Sequence, residues 1–180
     1  MSRLNEPFVI RPAIEATNLE MLRPVLESAI QHPLTKEVLY DEVESVLTSV
    51  KECVEGSSRR SYLLAETQAG IILGMMGLQV PGETMRAFAS SANPAEIINA
   101  YVSASQRGRG IGSALLRGME RTAKDEGFSE LVVNSGPRYQ LSGWPFWQRM
   151  YGEPVALAED YYGPHFHAAV WCKSLTEIIR

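Results

Sequence analysis

The stretch Arg107-Gly108-Arg109-Gly110-Ile111-Gly112 separates an apolar run, residues 97–102, from an amphipathic run, residues 113–126. A strand that ends in a glycine-rich turn and opens a helix commits that helix to a sheet, which makes the chain an α/β protein. The same turn predicts a ligand. Glycine lets a ligand approach the backbone, and the N–H groups and dipole at a helix start favour negative charge. Pyrophosphate suits such a turn.

The periodicity on either side predicts the rest of the order. Phe8-Val9-Ile10-Arg11-Pro12-Ala13 reads as a first strand. Thr17 and Glu20 fit a capping box that opens a helix running to about residue 31, with Pro24 bending it or moving its start. A second helix is expected over residues 36–54, with Leu39, Val43, Val46, Val50 and Val54 on one side. Residues 62–67 and 71–80 read as a hairpin around Gln68-Ala69-Gly70. Residues 81–94 are loop-like, with a strand end at 85–88, and residues 96–103 form a strong strand. Beyond the turn, Ile111, Leu115, Met119 and Ala123 share a helix face that Gly127 terminates. A strand at 131–134, a short helix at 144–151 with Pro145 in its first turn, and two late strands within 153–173 complete the chain. The order is β-α-α-β-β-β-α-β-α-β-β, expected to form a single domain over residues 1–180.

Composition narrows the function. The chain has 180 residues, 45% hydrophobic and 21% charged, with a net charge of −4. That balance suits a globular protein and argues against nucleic acid as a partner. Met1-Ser2-Arg3-Leu4-Asn5 contains no apolar core of a secretory leader, and no apolar run approaches a membrane span. Cys53 and Cys172 stand far apart without neighbouring Cys/His pairs. No metal site and a reduced, cytoplasmic setting are therefore expected.

Three phosphate-loop patterns compete for the turn. A P-loop needs Lys-Ser/Thr after its last glycine, but Ser113-Ala114 follow Gly112. A dinucleotide fingerprint needs a third glycine where Ser113 stands, and its acidic residue should end a strand, whereas Glu130 precedes one. The third pattern, R/Q-x-x-G-x-G/A, is met by Arg107, Gly110 and Gly112.

In this pattern the chain resembles the GNAT superfamily of acyl-CoA-dependent N-acyltransferases. Residues 95–103 and 106–116 look like that family's central strand, loop and helix without gaps, and Phe146-Trp147-Gln148-Arg149-Met150-Tyr151-Gly152 looks like its later aromatic helix. The resemblance implies a mixed, mostly antiparallel central sheet whose two central strands splay apart, flanked by helices. It implies acetyl-CoA as cofactor and direct transfer of the acetyl group to a primary amine of a small molecule or peptide. A homodimer through the late strands is compatible with it. The backbone of Arg107, Gly108, Arg109, Gly110, Ile111, Gly112 and Ser113 would cradle the pyrophosphate. Val102 would pair its backbone with the pantetheine amides, and Asn134 would lie at the opposite lip or cap its own strand.

Transfer to an amine needs a base, a donor for the carbonyl oxygen and an acid for the leaving thiolate. Glu96, eleven residues before Arg107, stands where the family's histone-type members carry their base glutamate. A backbone N–H near Tyr101 or Val102 would serve the oxygen. Trp147 occupies the position of the family's tyrosine, and indole cannot give up a proton as phenol can. Trp147 is thus assigned to packing against the pantetheine end, and Tyr151, one turn on, is the candidate acid, with Tyr139, Tyr161 and Tyr162 as competitors. His165 and His167 alternate on an expected late strand and would share a face. Cys172 reads as a core residue, and Trp144, Phe146 and Trp147 as a cluster pinning the short helix. The alternative to an enzyme is a non-catalytic acyl-CoA-binding sensor of the same fold. A nucleotide-dependent oxidoreductase is a third reading.

Overall fold

The computed structural model describes residues 6–14 and 16–176. The residues read above for a leader, 1–5, lie outside this set. Seven strands form one mixed sheet in the order β1-β2-β3-β4-β5-β7-β6: β1 Phe8–Pro12, β2 Ser61–Thr67, β3 Ile72–Gln79, β4 Pro94–Val102, β5 Glu130–Ser135, β6 Ala156–Ala158 and β7 Ala168–Ser174. Among the described residues five α-helices are interspersed: α1 Arg23–Ala29, α2 Tyr40–Val54, α3 Glu83–Arg86, α4 Ile111–Asp125 and α5 Gly143–Tyr151. The expected α/β fold with a mostly antiparallel sheet is therefore present. β4 and β5 are parallel, paired from Pro94↔Glu130 to Ile97↔Val133. β5–β7 and β6–β7 are antiparallel.

Two compact units are recognisable. The first comprises the residues up to Gly77 together with Asn99–Met119. In it β1 pairs antiparallel with β2 from Phe8↔Thr67 to Pro12↔Leu63. Gly118 of α4 faces Leu63 and Ile10: an added Cβ would lie 2.9 Å from Leu63 Cδ1 and 3.3 Å from Ile10 Cγ2. Val43, Val46 and Val50 of the predicted face are buried together with Leu47, whereas Leu39 precedes α2 and Val54 at its end is half-buried.

Two helix starts differ from expectation. Asn18, rather than Thr17, caps the first turn, its side chain accepting from Glu20 N–H (3.2 Å). Thr17 Oγ1 instead accepts from Ile14 N–H (3.0 Å). Pro24 falls in the first turn of α1 after a short 3₁₀ segment, Leu19–Leu22, so it moves the helix start rather than bending it. α2 begins at Tyr40, not at residue 36, because Gln31 and Val38 form an antiparallel bridge and Lys36 takes a left-handed φ of +64°.

The second unit comprises Leu78–Ile98 with the residues from Glu120 on. Its apolar cluster joins Met85 to Val132, Ala158, Ala168 and Val170, with Phe88 and Cys172 packed alongside. The strand end expected at 85–88 is instead the helix α3 and its exit. Met85 and Phe88 are three apart, so a helical turn sends both to one cluster, whereas a strand would send them to opposite faces. His165 and His167 precede β7 and do not alternate on a strand. Asp160 builds a turn there: its Oδ1 accepts from His165 N–H (2.7 Å), while its own N–H donates to His167 Nδ1 (3.0 Å). Glu130 begins β5, buried, and accepts from Ser90 N–H (2.8 Å) and Ser91 N–H (2.7 Å).

Candidate active site

β4, Pro94–Val102, contributes residues to each of the two units. At its C-terminal end, within the first unit, Gly74 of β3 permits a close approach. A Cβ there would sit 2.9 Å from Tyr101 O, 3.2 Å from Val102 Cγ2 and 3.3 Å from Ile111 Cγ2. The end of β4 and the start of α4 are thus packed against β3 backbone. Ser103 N–H donates to Leu73 O (2.9 Å), and Ala104–Gln106 form a 3₁₀ turn. The glycine turn follows.

Gly108 and Gly110 adopt φ of +79° and +80°, and a Cβ added to either meets nothing within 4 Å. The turn is therefore a left-handed backbone with open space where side chains would be, as a phosphate cradle requires. Helix α4 closes its first intrahelical bond from Ala114 N–H to Gly110 O (2.9 Å), so the first-turn N–H groups of Ile111 and Gly112 lie ahead of the helix ladder. Ile111 anchors this end, 1% exposed. Arg107 is exposed and Nε donates to Val102 O (3.4 Å). Arg109 Nη2 donates to Glu6 O (2.8 Å) and Nη1 to Gln106 Oε1, and the side chain lines a cavity of about 310 Å³ with Glu6, Pro7 and Phe8. The arrangement suits an anion such as a diphosphate: the groups present are backbone donors, a helix N-terminus and the exposed guanidinium of Arg107.

Toward the start of β4, within the second unit, lies Glu96. It pairs in register with Val132, so its side chain leaves on the face of Val132 and of Asn134, two residues on. Glu96 is 4% exposed. Both carboxylate oxygens accept from amides: Oε2 from Gln79 Nε2 (3.0 Å) and Oε1 from Asn134 Nδ2 (2.9 Å). Burial pushes its pKa above the ordinary glutamate value, and the two amide donors oppose that rise. Asn134 Oδ1 accepts in turn from the Tyr162 hydroxyl. Partial burial pushes Tyr161 and Tyr162 up, and the Glu96 charge adds to each. A buried carboxylate held by two neutral donors, with aromatic hydroxyls beside it, can accept a proton from an amine.

The remaining candidates are placed elsewhere. Trp171 pairs with Val133, the position alternate to Val132, and Trp144 packs edge-on against Trp171 at 6.1 Å between centroids. Helix α5 therefore covers the sheet face opposite to Glu96. Trp144 Nε1 donates to Ser135 O (3.1 Å) and Gly136 O (3.2 Å), which pins α5 to the end of β5. Trp147 is buried between Phe146 (4.8 Å) and Tyr151 (5.8 Å between centroids). The Tyr151 hydroxyl donates to Glu120 Oε1 of α4 (3.1 Å), outside the Glu96 network. Burial, and then the Glu120 carboxylate, push its pKa up. Cys172 is half-buried, with Sγ donating to Phe88 O (3.4 Å).

The structure thus joins Glu96 and Asn134, two residues singled out in the sequence, and adds Gln79, which sequence reasoning missed. Gln79 is the polar residue ending the apolar strand Ile72-Leu73-Gly74-Met75-Met76-Gly77-Leu78-Gln79. A lone amide in that place is the available signal. Among the described residues no helix is long and apolar enough to cross a membrane. No group of three or more His, Cys, Asp or Glu residues among them is placed to hold a metal ion.

Known proteins share this architecture. A protein of Desulfovibrio desulfuricans, provisionally named a GNAT-family acetyltransferase, superposes with a TM-score of 0.75 at 14% identity, over 94% of this chain and 100% of that one. An N-acetyltransferase from Staphylococcus aureus Mu50 gives 0.63 at 18% identity, over 94% and 99%. An aminoglycoside 6′-N-acetyltransferase complexed with coenzyme A gives 0.68 at 14% identity, over 96% and 99%. No curated protein matches the chain in sequence. The sequence model of the acetyltransferase (GNAT) family matches residues 25–152, the span from α1 through α5 that includes β4, the glycine turn and Glu96. The chain belongs to the acetyltransferase (GNAT) family.

Proposed function

We propose that the protein is an acetyl-CoA-dependent N-acetyltransferase that acetylates a primary amine of a small molecule or peptide. The observation that carries this reading is β4, which bears the buried, amide-held Glu96 near one end and the left-handed glycine turn beyond the other. The turn favours a pyrophosphate ligand, and the carboxylate favours a cationic acceptor that must lose a proton to react.

Acetyl-CoA, when bound, supplies an acetyl group activated as a thioester. The backbone N–H groups of residues 107–113 would hold its pyrophosphate, with Arg107 and Arg109 adding positive charge. The backbone of Val102 would pair with the pantetheine arm. Glu96 takes a proton from the acceptor ammonium, directly or through a water. Its raised pKa brings the carboxylate nearer to that of the amine it deprotonates, and the Gln79 and Asn134 donors, which favour the charged form, oppose that rise. A backbone N–H near Tyr101 or Val102 would donate to the carbonyl oxygen as it gains charge; as the amine nitrogen bonds to the acyl carbon the carbon–sulfur bond would break, and coenzyme A would leave as the thiolate.

A second reading, an acyl-CoA-binding protein without turnover, is favoured by one observation. Trp147 stands buried at the place of the family's tyrosine, and the Tyr151 phenol is engaged with Glu120. Steady-state release of coenzyme A thiol from acetyl-CoA, measured against a panel of alkylamines, amino sugars, amino acids and peptides, separates the two. Acceptor-dependent release supports the transferase. Calorimetric binding of acetyl-CoA without release for any amine supports the sensor. No binding at millimolar acetyl-CoA overturns both.

A further inference from the structure

We propose that Tyr162 is a positioning residue for Glu96, acting through Asn134. The inference concerns the same site and rests on the reading of Glu96 as the base.

An asparagine amide has a donating end and an accepting end, and a carboxylate only accepts. Asn134 supports the Glu96 carboxylate in one of its two orientations and opposes it in the other. The carboxylate favours the donating end, and the partner on the far side reinforces or opposes that choice. The Tyr162 hydroxyl donates to Asn134 Oδ1, which leaves Nδ2 to donate to Glu96 Oε1 (2.9 Å). Gln79 Nε2 holds the other oxygen (3.0 Å), so the carboxylate is gripped at both oxygens and fixed in its plane.

Tyr162 is itself held. Its ring lies against Gly136, just beyond the end of β5, where an added Cβ would be 3.0 Å from Cε2 and 3.1 Å from Cδ2. Tyr161 meets it edge-on, with centroids 5.0 Å apart at 87°. Its N–H donates to Phe166 O (3.0 Å), and Gly163 N–H donates to Asp160 O (2.9 Å), closing the loop that presents the ring. Glu96 is bonded by the neutral amides of Gln79 on β3 and Asn134 on β5, and Tyr161 and Tyr162 of the β6–β7 loop lie near enough for its charge to act on both. Removing the Tyr162 hydroxyl frees Asn134 to turn. The carboxylate then loses a donor that favours its charged form, so its midpoint moves up.

The test is Tyr162→Phe in the full chain, read in two ways. Carbon-13 NMR of carboxyl-labelled glutamate, with the Glu96 signal assigned by Glu96→Gln, follows the carboxylate with or without turnover. Its midpoint should rise by about half a pH unit or more. The acid limb of kcat/KM should move in the same direction, with KM for acetyl-CoA unchanged. A merely structural role would lower thermal stability and leave both midpoints in place. Gly136→Ala, which forces the ring back by a few tenths of an ångström, should shift the Glu96 midpoint the same way and serves if Tyr162→Phe fails to fold. An unmoved Glu96 midpoint in the folded variant overturns the proposal, whatever the activity. A moved midpoint in a protein that acetylates no amine supports the positioning role and overturns the transferase reading alone.

Discussion

Replacing Gly110 with alanine separates what the glycine turn does for the fold from what it does for a ligand. Gly110 holds φ at +80°, and a Cβ built on it meets no atom within 4 Å. The substitution creates no clash, so its effect on stability is conformational alone, about 1–2 kcal/mol for an L-residue kept left-handed. In a chain of this length that lowers Tm by about 2–8 °C. Gly127 is the matched control. It holds φ at +85° with equally open surroundings, at the far end of α4. There Phe128 N–H donates to Ala123 O and Gly127 N–H to Lys124 O, both at 2.9 Å, a Schellman cap. Gly127→Ala should lower Tm by a similar amount. The two variants part company on coenzyme A. The space beside Gly110 is where a pyrophosphate would approach the backbone, so Gly110→Ala should weaken binding by more than about tenfold, about 1.4 kcal/mol. Gly127→Ala should bind as wild type does. Melting curves and titration calorimetry with coenzyme A give both quantities. If Gly110→Ala loses stability but keeps wild-type affinity, the turn is not the cradle and the assignment of residues 107–113 fails.

Other outcomes follow from the same geometry. Glu96→Gln should lower kcat by about 10²–10⁴-fold with coenzyme A affinity retained, and steady-state rates across pH check this. Burial holds the Glu96 midpoint above the ordinary glutamate value, so wild-type kcat/KM should fall as the carboxylate protonates, at a pH above that of a solvated glutamate, and the variant should lack this limb. Leu115→Ala, at a fully buried position of α4, should cost about 2–5 kcal/mol in urea unfolding. Leu141→Ala, at a 96% exposed position, should change stability by less than about 0.5 kcal/mol. Burial, and then Glu130, push the Cys172 thiol up to about 11. At pH 7 about one thiol in ten thousand is thiolate, so alkylation followed by mass spectrometry should be far slower in the native protein than in urea.

The reading of the sequence succeeded where one residue's neighbours along the chain settle its state. Ile111, Leu115, Met119 and Ala123 recur at helical spacing and are all buried. Gly127 ends α4, and Pro24 shifts the start of α1, because φ limits act on the residue itself. It failed where a distant partner decides. Thr17 has a capping chemistry that Ile14 N–H captures, leaving the cap to Asn18. Residues 85–88 have no decisive local preference, and the cluster around Val132 and Val170 draws Met85 and Phe88 into a helical turn. His165 and His167 alternate in the sequence, but Asp160 ties both into a turn ahead of β7.

The candidate site divides in the same way. The glycine turn, the helix after it and the position of Glu96 on β4 are local in the chain, and they were legible because left-handed glycines and an amphipathic period act within a few residues. The character of Glu96 was not legible. Gln79 lies 17 residues away on β3, Asn134 lies 38 residues away on β5, and Tyr162 reaches Asn134 from 28 residues further on. The pairing of β4 with β5 puts Glu96 and Asn134 on one face, and the β6–β7 loop carries Tyr162 to Asn134. Hydrogen bonds and desolvation depend on separation in space, so an ordinary glutamate in the sequence becomes a buried, doubly held carboxylate only once β3, β4 and β5 are paired.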